Sequence, residues 1–243
     1  MKNDELKRLR PLILALDTTD PAHGMEIAEQ VKEYVDIVKV GLELFSAEGP
    51  GVVTSVREKG FEVFLDLKLN DIPNTVASAC LALCELEPLM LTLHAMGGQE
   101  MMRLASRAVG ERCKEAGLRR PLMIGVTVLT SLDLPALKKI GVDHPIEEEV
   151  LRLARLVRES GLGGLVTSPL ETQSVRRAVG EELVLITPGV RLAGMDKDDQ
   201  KRVATPGEAV RAGADFLVVG RPIHTADEPK KVAEGILKDA GRL

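Results

Sequence analysis

Apolar runs of strand length recur eight times along the chain: Pro11 to Asp17, Ile37 to Leu44, Glu62 to Lys68, Leu89 to Ala95, Pro121 to Val128, Gly164 to Ser168, Leu183 to Pro188 and Phe216 to Arg221. They are nearly continuous in Leu, Val and Ile, which is the pattern of parallel strands covered on both faces. The segments between them carry helical spacing, as in the stripes Val150, Leu153, Ala154, Val157 and Met101, Leu104, Ala105, Ala108. Helix punctuation falls in the same places. Asp20-Pro21 and Thr205-Pro206-Gly207-Glu208 read as N-caps with proline at the first helical position, and Lys59-Gly60, Ser160-Gly161, Val179-Gly180 and Ala212-Gly213 read as stops. Eight strand-then-helix units, with no linker or low-complexity stretch, predict an α/β protein built as a single (β/α)8 TIM barrel over residues 1–243. An open doubly wound sheet fits less well, because Asp17-Thr18-Thr19-Asp20 stands where a glycine-rich dinucleotide fingerprint would follow the first strand.

Composition narrows the partners. With 44% hydrophobic residues in 243 there is enough apolar material for a large core. The net charge of −5 argues against a general nucleic-acid or anionic-membrane surface, so any anion must be held by a local cluster. Aromatics are 2% and tryptophan is absent, so a nucleotide-like ligand would be gripped by charge and hydrogen bonds rather than by stacking. Cys80, Cys84 and Cys113 are an odd number, and the first two, four apart on a helical stretch, read as buried thiols. The charged start Met1 to Arg8 precedes too short an apolar run for a signal peptide, and no stretch has the length of a membrane span. A soluble, cytoplasmic protein is expected.

In parallel barrels the site lies at the C-terminal ends of the strands, which turns position into chemistry. The first strand ends in Asp17, the second carries Lys39, and the third ends in Asp66 and Lys68 with Asp71 on the turn that follows. Alternation places Asp66 and Lys68 on one face, with Leu65, Leu67 and Leu69 on the other. If Asp17 and Lys39 point inward, then Leu12, Leu14, Leu16, Val38 and Val40 point to the helices. Two carboxylates and two ammoniums then share one mouth, where each charge left alone would cost several kcal/mol, so they must pair with one another or with a substrate.

The last two strands end differently. Thr187-Pro188-Gly189-Val190-Arg191 and Val218-Val219-Gly220-Arg221-Pro222-Ile223 put an arginine after strand seven and a glycine-arginine pair after strand eight, where barrels often bind phosphate. Between them Ala193 to Gln200 is polar and too long for a simple connection, as expected of a lid. His94 ends the fourth strand without a second histidine or a cysteine near it, and a hydrogen-bonding role behind the site is expected rather than a metal. His23, His144 and His224 are scattered and are expected at the surface. Thr130-Ser131 either presents hydroxyl and backbone groups to a ligand or caps the helix beginning near Asp133, and spacing alone leaves these even.

The run Asp66-x-Lys68-x-x-Asp71-Ile72-Pro73-x-Thr75-Val76 resembles the signature of the orotidine 5′-phosphate decarboxylase family. Pro188-Gly189-Val190-Arg191, Asp199-Gln200-x-Arg202 and Val219-Gly220-Arg221-Pro222-Ile223 resemble the phosphate-binding end of its bacterial branch, in register from Leu14 to Arg221. The resemblance implies conversion of orotidine 5′-monophosphate to uridine 5′-monophosphate and CO2, the last step of pyrimidine nucleotide synthesis, with no metal and no organic cofactor. By position, Lys39, Asp66 and Lys68 would form a charged array completed by Asp71 of a second subunit, which makes a homodimer the implied partner. Asp17 and Lys39 would hold the ribose, and Asp71 and Thr75 would reach across the interface. Thr130 would lie near the pyrimidine, and Arg191, Gln200, Gly220 and Arg221 would hold the phosphate. Met96 is bulkier than the family's small residue there.

Loss of CO2 leaves a carbanion in the ring plane with no cofactor to delocalise it, so a fixed positive charge must stabilise it, and Lys68 is the natural donor of charge and then of a proton. Three rivals have distinct signatures. A sister decarboxylase of keto sugar phosphates shares Asp-x-Lys-x-x-Asp but holds Mg²⁺ and would want a carboxylate in place of Lys39. A Schiff-base aldolase would use Lys68 covalently. A nucleotide sensor would bind uridine monophosphate without turnover.

Overall fold

The computed structural model describes residues 3–6, 8–192 and 202–243. Eight parallel strands close into a barrel in chain order: β1 (Leu12–Leu16), β2 (Ile37–Gly41), β3 (Glu62–Leu69), β4 (Met90–His94), β5 (Leu122–Val126), β6 (Gly164–Val166), β7 (Val184–Pro188) and β8 (Phe216–Val219), with β8 pairing back to β1. Each coincides with one of the eight apolar runs, trimmed by a residue or more in most. The closed parallel barrel bears out the expected fold class.

Two cores explain why the strands are apolar on both faces. Inside the barrel, Ile13, Ala15, Ile37, Phe64, Met90, Ile124, Val184, Ile186, Phe216 and Val218 form one cluster. Outside, Leu12, Leu14, Leu16, Val38, Val40, Leu65 and Leu67 pack with the helices in the other. The phase inferred from Asp17 and Lys39 is therefore the observed one. Followed towards the C-terminal end, the inward phase changes character: Ile13 and Ala15 lead to Asp17, Ile37 to Lys39, Phe64 to Asp66, and Met90 to Thr92. Between the ends the inward phase is apolar, and Asp17, Lys39 and Asp66 stand where it reaches the mouth.

The helices start and stop where their punctuation stands. Asp20 Oδ1 accepts the His23 N–H at 3.0 Å, and Thr205 and Glu208 form a reciprocal capping box. Gly60, Gly161, Gly180 and Gly213 follow the predicted ends with positive φ. Asp133 caps the helix Leu134–Lys139 through the Ala136 N–H, so Thr130 and Ser131 are not its cap. In the helix Gln99–Ala116 the buried stripe is turned slightly from the expected one: Met101 and Ala105 are buried, Leu104 and Ala108 only partly, and Met102, Ser106, Val109 and Cys113 complete it. All three cysteines are buried. Burial, with the neighbouring thiol adding to it, pushes Cys80 up to about 12 and Cys84 up to about 11, so these are packing groups rather than nucleophiles. No helix among the described residues is long and apolar enough to cross a membrane.

Candidate active site

The mouth of the barrel holds a cavity of about 330 Å³. Asp17, Lys39, Asp66 and Lys68 line one side of it, Thr130 and Ser131 the loop after β5, and Arg191, Gly220 and Arg221 the ends of β7 and β8. Nine residues singled out in the sequence thus meet in one space. Asp71 and Thr75 do not line it; both are exposed on the rim, and the Asp71 carboxylate accepts the N–H of Ile72 at 2.6 Å in its own turn. Gln200 and the stretch Ala193 to Gln200 lie outside the described residues.

The four charges form an alternating chain. Lys39 Nζ lies 2.8 Å from Asp17 Oδ1 and 3.7 Å from Asp66 Oδ2, and Asp66 Oδ2 lies 2.7 Å from Lys68 Nζ. Lys39 and Asp66 are buried while Asp17 and Lys68 look into the cavity, so the inner pair is neutralised from both ends. Burial works to discharge Lys39, but the charges of Asp66 and Asp17 outweigh it and hold the ammonium above its ordinary range. Burial likewise works to protonate Asp66, and Lys39 and Lys68, with hydrogen bonds from Lys68 and Thr92, hold it below the usual carboxylate range. Two close approaches fix this geometry. A Cβ on Gly41 would sit 2.9 Å from Lys39 Nζ, and one on Gly220 would sit 3.1 Å from Asp17 Oδ2. Gly220 therefore makes room for the Asp17 carboxylate itself.

Lys68 reaches the mouth by a route that alternation alone does not foresee. Leu65 pairs with Leu91 and Leu69 with Leu93, so four steps along β3 match two along β4. The excess is taken up as a bulge, in which Lys68 adopts φ 51°. Left-handed backbone at a non-glycine residue costs of order 1–3 kcal/mol and persists only where its surroundings enforce it. Thr92, fully buried on β4, does so: its hydroxyl accepts the Lys68 N–H at 2.8 Å and donates to Asp66 Oδ1 at 3.1 Å. Thr92 and Gly41 were missed by sequence reasoning. The usable signals were a hydroxyl on the inward phase of an otherwise apolar strand and a glycine two residues after Lys39.

The histidines divide. His94 Nδ1 accepts the Met96 N–H at 3.3 Å, as a group behind the site would, and burial together with the charge of Lys68 pushes its pKa down. His23 is exposed, as expected. His144 and His224 are half-buried, not simply on the surface: His144 Nε2 lies 2.6 Å from the buried Glu149, and His224 Nε2 donates to the Ala15 carbonyl at 2.7 Å. His144 bonds only five positions along the chain, into the first turns of the next helix, whereas His224 reaches across 209 positions, which the chain order does not reveal. Beside the cavity, Arg202 meets Glu171 at 3.0 Å and donates to the carbonyls of Val128 and Leu129, tying the chain that returns towards β8 to the loop after β5. Among the described residues no group of three or more His, Cys, Asp or Glu side chains is arranged to hold a metal.

A closed parallel barrel with convergent charges and arginines at its strand ends defines a barrel enzyme acting on a small anionic substrate. A family model described as "Orotidine 5'-phosphate decarboxylase / HUMPS family" matches residues 10–236, and the chain belongs to that family. Among its relatives, the orotidine 5′-phosphate decarboxylase of Moorella thermoacetica is 49% identical over 226 residues, covering 93% of this chain and 90% of that protein. That of Trichlorobacter lovleyi is 47% identical over 239 residues, 98% of each. The crystal structure of the Lactobacillus acidophilus orotidine 5′-phosphate decarboxylase superposes with a TM-score of 0.83 at 35% identity, over 95% of this chain and 99% of that one. The resemblance carried by the sequence motifs is borne out, and the expected enzyme class agrees with these names, which denote a carboxy-lyase.

Proposed function

We propose that the chain converts orotidine 5′-monophosphate to uridine 5′-monophosphate and CO2 in pyrimidine nucleotide synthesis, as one cytoplasmic catalytic domain that works as a homodimer without metal or organic cofactor. The observation that carries this reading is the alternating chain Asp17–Lys39–Asp66–Lys68, ending in an ammonium that faces the same cavity as Arg191 and Arg221.

Its chemistry follows from charge. Decarboxylation leaves an electron pair in the plane of the pyrimidine, outside the ring's π system, and only a cation placed at that carbon can stabilise it. Lys68 has three N–H donors and, among the described residues, one carboxylate partner, Asp66, so donors remain to pair with the carbanion and deliver its proton. Asp66 sits beside the leaving carboxylate, held ionised by its two lysines. Asp17 and Lys39 hold the ribose, Thr130 meets the pyrimidine, and Arg191, Gln200, Gly220 and Arg221 take the phosphate. Because the phosphate lies away from the reacting carbon, its binding energy accelerates the reaction only by ordering the site. Asp71 and Thr75, which do not line the cavity of their own barrel and are exposed, would complete a second subunit's site. Lys39 also supports the cofactor-free reading: its ammonium occupies the space between Asp17 and Asp66, where a divalent cation would be repelled.

The test is the fall in absorbance when the purified protein meets orotidine monophosphate, with and without EDTA. Equal turnover in both is expected. No turnover refutes the activity, and turnover abolished by EDTA refutes the cofactor-free mechanism.

A further inference from the structure

We infer that Thr92 is a positioning residue for this reaction: its hydroxyl locks the β3 bulge so that Lys68 and Asp66 are presented to the cavity in one fixed arrangement. The inference rests on the decarboxylase reading and extends it to a residue on a different strand, deep beneath the cavity.

A bulge breaks the backbone ladder and leaves a strand N–H without a carbonyl opposite it, at a burial where that is costly. Between Leu65 and Leu69 three residues of β3 face the single residue Thr92, and the Lys68 N–H is satisfied by the threonine oxygen instead of a carbonyl. Accepting there obliges the hydroxyl hydrogen to point elsewhere, and Asp66 Oδ1 receives it. One oxygen thus holds the main chain of Lys68 and orients the carboxylate of Asp66, leaving Asp66 Oδ2 directed at the two lysine ammoniums. The left-handed backbone of Lys68 has no glycine to relax it, so without this anchor it can return to ordinary extended geometry and carry the ammonium with it. Serine could make both bonds. Valine, of the same shape, could make neither.

The experiment compares Thr92→Val and Thr92→Ser with the unsubstituted protein in kcat, KM, uridine monophosphate binding and the pH profile of kcat/KM. Loss of a hydrogen bond to a charged group, added to the released bulge, predicts that Thr92→Val loses about 10- to 100-fold in kcat. Product affinity should stay within about threefold, because the phosphate and ribose contacts are made elsewhere. Asp66 is faced by Lys39 from β2, Lys68 from β3 and Thr92 from β4; Asp17 lies beyond Lys39, and His94 of β4 feels the charge of Lys68. Removing the Thr92 bond lifts the Asp66 pKa, so the acid limb of kcat/KM should move to higher pH, and Thr92→Ser should restore both kcat and that limb. Should Thr92→Val not fold, Thr92→Ala takes its place with the same readouts. An unsubstituted protein that does not turn over orotidine monophosphate defeats the decarboxylase reading and this inference with it. An active protein whose Thr92→Val variant keeps kcat and the acid limb, or whose serine variant falls as far as valine, defeats the positioning role alone.

Discussion

The barrel has a cavity at each end, and they are nearly the same size. At the C-terminal mouth about 330 Å³ is lined by the charge chain and the two arginines; at the floor about 320 Å³ is lined by Leu6, Leu9, Pro11, Leu183, Val184 and Phe216, with Glu181, Asp215 and Arg242 at its edge. The difference lies in what the charges still have to offer. At the floor Arg176 donates to the carbonyls of Gly180, Leu183 and Gly213 and to Asp215 Oδ2, which in turn accepts the Leu185 N–H at 2.7 Å. Those groups are consumed in closing the barrel. At the mouth the chain ends on Lys68, held among the described residues by one carboxylate, Asp66, and by a strained backbone, with its side chain on the cavity. Volume does not mark a site; charge that is organised but unspent does.

That contrast can be broken by substitution at either end. The largest effect is expected at Lys68: if its cation acts on the transition state as proposed, Lys68→Ala should lose more than about 10³-fold in kcat while uridine monophosphate binding stays measurable by calorimetry. An active Lys68→Ala variant would mean that the mouth's charge is structural after all. Mixing Lys68→Ala with Asp71→Ala subunits should regenerate part of the activity if sites are shared, and no recovery despite proven subunit exchange would count against sharing. Arg221→Ala comes next, with a loss in kcat/KM of about 3 kcal/mol from a charge-assisted hydrogen bond and the ordering it brings. A loss of a few tenths would place the phosphate elsewhere. Smallest in catalysis is Asp215→Ala at the floor, which takes the carboxylate from Arg176 and from the Leu185 N–H; urea unfolding should register a cost of about 1–3 kcal/mol, with kcat/KM within about twofold of the unsubstituted protein. A large kinetic effect there would erase the distinction between the two ends.

Much of the site was legible because barrels convert strand ends into a shared address. Asp17, Lys39, Asp66, Lys68, Arg191, Gly220 and Arg221 come from five different strand regions, yet each lies in, ends or follows an apolar run, and all line one cavity. Thr130 was balanced between ligand and cap until Asp133 proved to be the cap. His224 read as surface because nothing in its neighbourhood announces the Ala15 carbonyl, 209 positions away. Thr92 went unnoticed for the same reason: its value lies in two bonds to another strand.

By itself the sequence determined whatever depends on local periodicity and turn chemistry: eight strands, their inward phase, the caps and stops, and the family. Those are set by interactions within a few residues and by the requirement that apolar side chains leave water. The tertiary structure alone decided how β3 slips against β4, where a side chain on Gly41 or Gly220 would crowd Lys39 or Asp17, and which hydroxyl holds the backbone of Lys68. Such features depend on the register between strands and on distances of a few ångströms across the barrel, which exist only once it has closed.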